Sequence, residues 1–101
     1  MIFMDLADMQ VNAEQAADLL KAMANKHRLL ILCTLNNQEL SVSQLNQQVD
    51  IPQSTLSQHL SVLRRDKLVK TRREAQTIYY SLSSKEVKAV IAALYQLYCS
   101  D

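Results

Sequence analysis

The sequence predicts a mainly α domain carrying one small β-hairpin. Three observations predict it. Apolar residues recur at three- and four-residue spacing over most of the chain, and the spacing switches to two between Leu68 and Leu82. Four stretches also open with residues able to cap a helix. With 101 residues, 49% of them apolar, the chain can bury one modest core. It is read as a single domain over residues 1–101, with residues 1–11 as an N-terminal extension.

Asn12 and Gln15 fit a capping box, and behind them Ala16, Leu19, Leu20 and Met23 share one helical face. Asn25 can cap a second helix through Arg28 to Leu35, apolar all round and rich in leucine. Asn36-Asn37 ends it, because asparagine tolerates the left-handed cap conformation best after glycine. Ser41 and Gln44 form another capping box and open a short helix with Leu45 and Val49 inward. Asp50-Ile51-Pro52 is a tight turn, since proline is tolerated in a helix only within its first turn. The next helix runs to about Asp66 with Leu56, Leu60 and Leu63 as its stripe. Leu68–Arg73 and Thr77–Leu82 alternate and are rich in β-branched and aromatic residues, so they read as a hairpin around Glu74-Ala75-Gln76. Ser83 and Glu86 give a last capping box, and Val87, Val90, Ile91, Leu94 and Tyr98 mark the final amphipathic helix.

Composition excludes whole classes of function. Glycine is absent, so no Gly-rich phosphate loop or nucleophile elbow can be built. There is no Cys-x-x-Cys motif and no Ser/His/acid constellation, so neither an enzyme nor a cofactor is expected. The start, Met-Ile-Phe-Met-Asp-Leu-Ala-Asp, lacks the basic-then-apolar pattern of a signal peptide, and no run reaches the ~20 apolar residues of a membrane span. Two cysteines, Cys33 and Cys99, are too few for a secreted disulfide scaffold. A cytoplasmic protein with no membrane partner is the expectation.

The formal net charge of +1 hides a polarised distribution. Residues 1–25 hold Asp5, Asp8, Glu14 and Asp18 against Lys21. Residues 59–73 hold Arg64, Arg65, Lys67, Lys70, Arg72 and Arg73 against Asp66. A basic block alone is ordinarily a solvated surface, but this one abuts a unit of short helix, turn and longer helix. On that longer helix Ser54, Gln58, Ser61 and Arg65 share the face opposite the leucines, flanked by Thr55 and Ser57. Short hydroxyls, an amide and a guanidinium are groups that reach base edges and phosphates. The pattern therefore predicts a helix-turn-helix on double-stranded DNA, the longer helix in the major groove. Arg64, Arg65, Lys70, Arg72 and Arg73 would clamp phosphates, with Lys67 and Gln76 beside them. His59 borders the apolar face and reads as structural or phosphate-touching. One such helix covers little DNA, so a homodimer through the first and last helices on a near-palindromic operator is expected.

These stretches also carry a family likeness. Asn25-Lys-His-Arg-Leu-Leu-Ile-Leu32, Glu39-Leu-Ser-Val-Ser-Gln-Leu45, Ser54-Thr-Leu-Ser-Gln-His-Leu-Ser-Val-Leu-Arg64 and Leu68-Val-Lys-Thr-Arg-Arg-Glu-Ala-Gln-Thr-Ile-Tyr-Tyr80 resemble the ArsR/SmtB winged-helix regulators. The likeness covers nearly the whole chain. It implies a winged helix-turn-helix and a dimeric bacterial transcription regulator, usually a repressor. The family's soft-metal site places cysteines in a Glu-Leu-Cys-Val-Cys pattern, where this chain has Ser41 and Ser43, and a hydroxyl is a poor soft-metal ligand. Its other common site needs histidines on the last helix, and residues 83–101 contain none. No metal is therefore expected, with a metal-responsive repressor kept as an alternative. Lys67 and Asn36-Asn37 stand where relatives commonly use glycine, at some conformational cost.

One sulfide-responsive branch of the family, with BigR-, SqrR- and HlyU-like members, carries a cysteine in the second helix and another in the last. Cys33 and Cys99 match both places. The likeness thus implies a repressor whose operator binding is switched by oxidation or by persulfide linkage of the two thiols, with a reactive sulfur species or oxidant as inducer. The alternative is an HlyU-like activator or anti-silencer that competes for DNA without an inducer.

Overall fold

The computed structural model describes residues 5–99. Helix α1 (Leu6–Met23) starts at Asp5, whose side chain accepts the Ala7 amide at 2.9 Å, and not behind Asn12. Asp5 supplies the capping oxygen and Asp8 adds negative charge at the positive helix end. Asn12 sits inside the helix and donates to the Asp8 carbonyl. The inward face is also narrower than expected: Ala22 and Met23 are buried and Leu19 packs on the core, but Ala16 and Leu20 are exposed.

Helix α2 (Lys26–Thr34) is capped by Asn25, which accepts from the amides of His27 and Arg28 at 3.0 and 3.1 Å. It ends at the Asn36-Asn37 turn. Strand β1 (Leu40–Ser41) then leads into helix α3 (Val42–Gln48) through the Ser41–Gln44 capping box, both of its hydrogen bonds formed. The Asn46 side chain donates to the carbonyls of Val49 and Ile51 and so fixes the turn before helix α4 (Gln53–Arg65). Pro52 precedes α4 with φ −56°, preset for helix entry.

Strands β2 (Val69–Glu74) and β3 (Thr77–Leu82) form the expected hairpin, closed by Ala75-Gln76. The sheet has a third strand that no sequence pattern announced. β1 pairs with β3 in the order β1-β3-β2, Leu40 opposite Tyr80 and Ser41 opposite Tyr79. Helix α5 (Lys85–Tyr98) is capped by Ser84, which accepts the Val87 amide at 3.1 Å. Ser83, the expected cap, donates instead to the Lys67 carbonyl and pins the end of β3 to the start of the hairpin.

One core joins these elements. Ile31, Leu32, Leu35, Leu45, Leu56, Leu60, Leu63 and Val87 are fully buried in it. Truncating any of its leucines to alanine costs ~2–5 kcal/mol, a large share of the ~5–15 kcal/mol by which a domain is stable. α4 is therefore held firmly along its leucine stripe, and its opposite face is free to present side chains. α1 is held only near its C-terminal end, by Leu19, Ala22 and Met23, and the radius of gyration is 15.1 Å against ~13 Å for a compact chain of this length.

Asn37, Lys67 and Ala75 adopt positive φ of 63°, 64° and 55°. Asparagine tolerates this region; lysine and alanine do so at ~1–2 kcal/mol each. The two turns flagged by missing glycines, at Asn37 and Lys67, are thus left-handed. No helix among the described residues is long and apolar enough to cross a membrane.

Candidate nucleic-acid interface

The outward face of α4 carries Ser54, Ser57, Gln58, Ser61 and Arg65, all exposed, with Thr55 half-buried beside them. Arg64 and Lys67 are exposed at its C-terminal end. There the Lys67 amide donates to the Arg64 carbonyl and the Leu68 amide to the Leu63 carbonyl, so the left-handed residue swings the chain directly from α4 into β2. Lys70, Arg72 and Arg73 on β2 and Gln76 at the hairpin tip are exposed as well. Arg65 lies 3.3 Å from Asp66, an exposed pair of the kind worth little in water.

Two other predicted residues are engaged with parts of the protein distant in sequence. His59 is half-buried and its Nδ1 accepts Arg28 Nε at 3.3 Å. Arg28 also donates to the Ala22 carbonyl, so one guanidinium joins the end of α1 to α4. The His27 and His59 rings lie 6.1 Å apart, and His27 Nδ1 is buried without a hydrogen-bond partner. Burial first, then the charges of Arg28 and His27, hold the His59 pKa below the ordinary histidine range. Arg72 is the second. Glu39 and Glu74 both accept from its guanidinium, at 2.8 Å at closest, and it stacks 4.8 Å from the Tyr79 ring centroid. Hydrogen bonding to Arg72 lowers the Glu39 pKa, and the same bonds hold the Arg72 proton more firmly. Sequence reasoning missed Arg28, Glu39 and Asn46. Arg28 and Glu39 each stand inside a family motif, but nothing local to either names the distant partner it holds.

Among the described residues no group of three or more His, Cys, Asp or Glu is placed to hold a metal ion. Cys33 and Cys99 line an apolar groove of about 780 Å³ between α2 and α5, with Leu29, Ile91, Leu94, Tyr95 and Tyr98 among the walls.

The family model for the bacterial regulatory protein, arsR family, matches residues 25–71, from the cap of α2 into β2. The transcriptional activator HlyU of Vibrio cholerae serotype O1 is 57% identical over 96 residues, which span 95% of this chain and 89% of that protein. This chain belongs to the ArsR family. Among solved structures, the transcriptional regulator HlyU of Vibrio vulnificus CMCP6 superposes with a TM-score of 0.87 at 60% identity, covering 95% of this chain and 100% of that one. The transcriptional repressor BigR of Xylella fastidiosa superposes with a TM-score of 0.91 at 41% identity, over 97% and 100%. As an ArsR-family member the chain is a winged helix-turn-helix, DNA-binding regulator and not an enzyme.

The structure argues against the expected Cys33/Cys99 switch. Both thiols are free and exposed, so no sulfur linkage ties α2 to α5. Partial desolvation of the sulfur in the groove wall first, then the charge of Cys99, push the Cys33 thiol above its ordinary pKa. A cysteine that attacks sulfane sulfur or peroxide needs the reverse shift, toward thiolate. The likeness to an activator favours the other reading, an HlyU-like regulator.

Proposed function

We propose that this chain is an HlyU-like transcriptional regulator that binds a near-palindromic operator as a homodimer and activates by competing with another DNA-binding protein, without an inducer. The observation that carries the reading is the exposed strip of Ser54, Ser57, Gln58 and Ser61 on α4, with Arg64, Arg65, Lys70 and Arg73 around it. An α-helix fits the major groove, and an amide such as Gln58 matches the paired donor and acceptor of adenine. The cations meet phosphates on either side and fix the register. Gln76, at the hairpin tip, reaches the same backbone.

Two copies supply two reading helices, which span half-sites roughly one helical turn, ~34 Å, apart. The surface for pairing is the apolar side of α1 and α5, where Leu6, Met9, Val11, Leu20, Tyr95 and Leu97 are exposed. No isolated domain gains by leaving these in water.

The test is a mobility shift on the duplex that the wild-type protein protects from nuclease. Gln58→Ala should weaken binding to that duplex by roughly 10- to 100-fold and leave binding to a scrambled duplex unchanged. Equal losses on both duplexes would defeat base reading by α4.

A further inference from the structure

The wing's cations are not equivalent. Among the described ion pairs, Arg72 takes part in two, and Lys70 and Arg73 in none. Arg72 Nε donates to both carboxylate oxygens of Glu39, at 3.0 and 3.1 Å, and Nη2 donates to Oε1 at 2.8 Å. Nη1 donates to Glu74 Oε2 at 2.8 Å.

Sheet register explains why these groups meet. Tyr79 stands opposite Arg72 on β2 and opposite Ser41 on β1. Side chains alternate along a strand, so Glu74, two residues from Arg72, and Glu39, two residues before Ser41, fall on the same face. The guanidinium crosses that face from the hairpin, over the Tyr79 ring, to the residue just before β1. Ser41, at the end of β1, is also the cap of α3. The arrangement therefore spans all three strands and ends at the entrance to the helix-turn-helix.

We infer that Arg72 is a positioning residue, a strap that sets the angle of the wing against the helix-turn-helix, and not a phosphate ligand. The inference rests on the DNA-binding reading above. To reach a phosphate, Arg72 would have to release two carboxylates. Those carboxylates cancel the charge of Arg72 and, with Lys70 on the same face also acting on Glu39, leave the cluster neutral, so the guanidinium itself offers a DNA backbone little net attraction. A planar fork is needed to hold Glu39 through adjacent nitrogens while stacking on a ring, and lysine offers neither property.

The test measures affinity by fluorescence anisotropy on the nuclease-protected duplex, for full-length Glu39→Gln and Arg72→Lys. If Arg72 is a strap, Glu39→Gln weakens binding by roughly five- to tenfold although it removes a negative charge, and Arg72→Lys weakens it equally although it keeps the positive one. If Arg72 is a phosphate ligand, Glu39→Gln binds as tightly as wild type or tighter, and Arg72→Lys keeps most of the affinity; either result overturns the inference. Amide hydrogen exchange on the free proteins gives a readout that needs no DNA. Faster exchange across β2 and β3 in both variants supports the strap, and unchanged exchange overturns it. Failure of the wild type itself to prefer the protected duplex would instead sink the DNA-reading assignment, with the exchange result still deciding the strap.

Discussion

Helices α1 and α4 both leave most of their residues in contact with solvent, yet they do so with opposite chemistry. α1 exposes Leu6 at 69% and Val11 at 83%, and is buried only in its last turn. α4 exposes serines, an amide and arginines, and buries Leu56, Leu60 and Leu63 almost completely. α4 is thus fully explained by one chain: its apolar stripe meets the core and its polar strip faces outward. α1 is not, because its apolar residues outnumber the core positions available to it. The difference teaches that an exposed face is informative when its chemistry mismatches water, and that the two ends of this molecule present different surfaces, one polar and cationic and the other apolar.

The largest expected effect breaks the apolar end. Leu20→Glu places a charge on an already exposed position of α1, so the single-chain fold should survive. Sedimentation at ~10 μM protein should then show monomer in place of dimer, and operator affinity should fall by more than ~100-fold as the two reading helices lose their linkage. An unaltered dimer would show that α1 exposes its leucines for another reason. A smaller effect probes the polar end: Arg73→Ala should weaken every duplex alike and flatten the salt dependence of log K by ~0.9 for each phosphate it no longer neutralises. An unchanged slope would remove Arg73 from the phosphate set.

The smallest effect concerns the joint between the two helices, where Arg28 links the end of α1 to His59 of α4. Because the folded protein holds His59 below its unfolded pKa, the unfolded chain binds more protons between the two values. The contribution of His59 is intact above about pH 6.5 and is lost as pH falls from there through the folded value. Thermal midpoints measured between pH 7.5 and 5.5 should decline more in wild type than in His59→Asn, whose side-chain oxygen can still accept from Arg28. Parallel declines would place the proton uptake elsewhere.

Much of this was legible in the residues themselves because it is local. The Ser41–Gln44 box, the Asn25 cap, the left-handed turn at Asn37 and the leucine stripe of α4 each depend on residues a few positions apart. The misreadings were local rivals. Asn12 and Gln15 imitate a cap that Asp5 provides, and Ser83 and Ser84 are chemically equal until the Lys67 carbonyl claims one of them. β1 is only two residues long and carries no period, so its pairing with β3 needed the tertiary fold. The same holds for Arg72 and Glu39, brought together from distant parts of the chain by sheet register. The cysteine expectation failed differently: matching positions spoke for a sulfur switch, and the thiol environment of Cys33 spoke against it.

The left-handed turns made without glycine have one more consequence. A chain whose bends are built from asparagine, lysine and alanine roams through fewer shapes when denatured than a glycine-hinged one would. On the proposed DNA-binding reading, the hairpin tip, bent at Ala75, would come to its target already shaped, with little freedom left to surrender on contact. The strain held in that methyl-bearing bend is offset before binding begins, and preorganisation of this kind slows departure more than it speeds arrival.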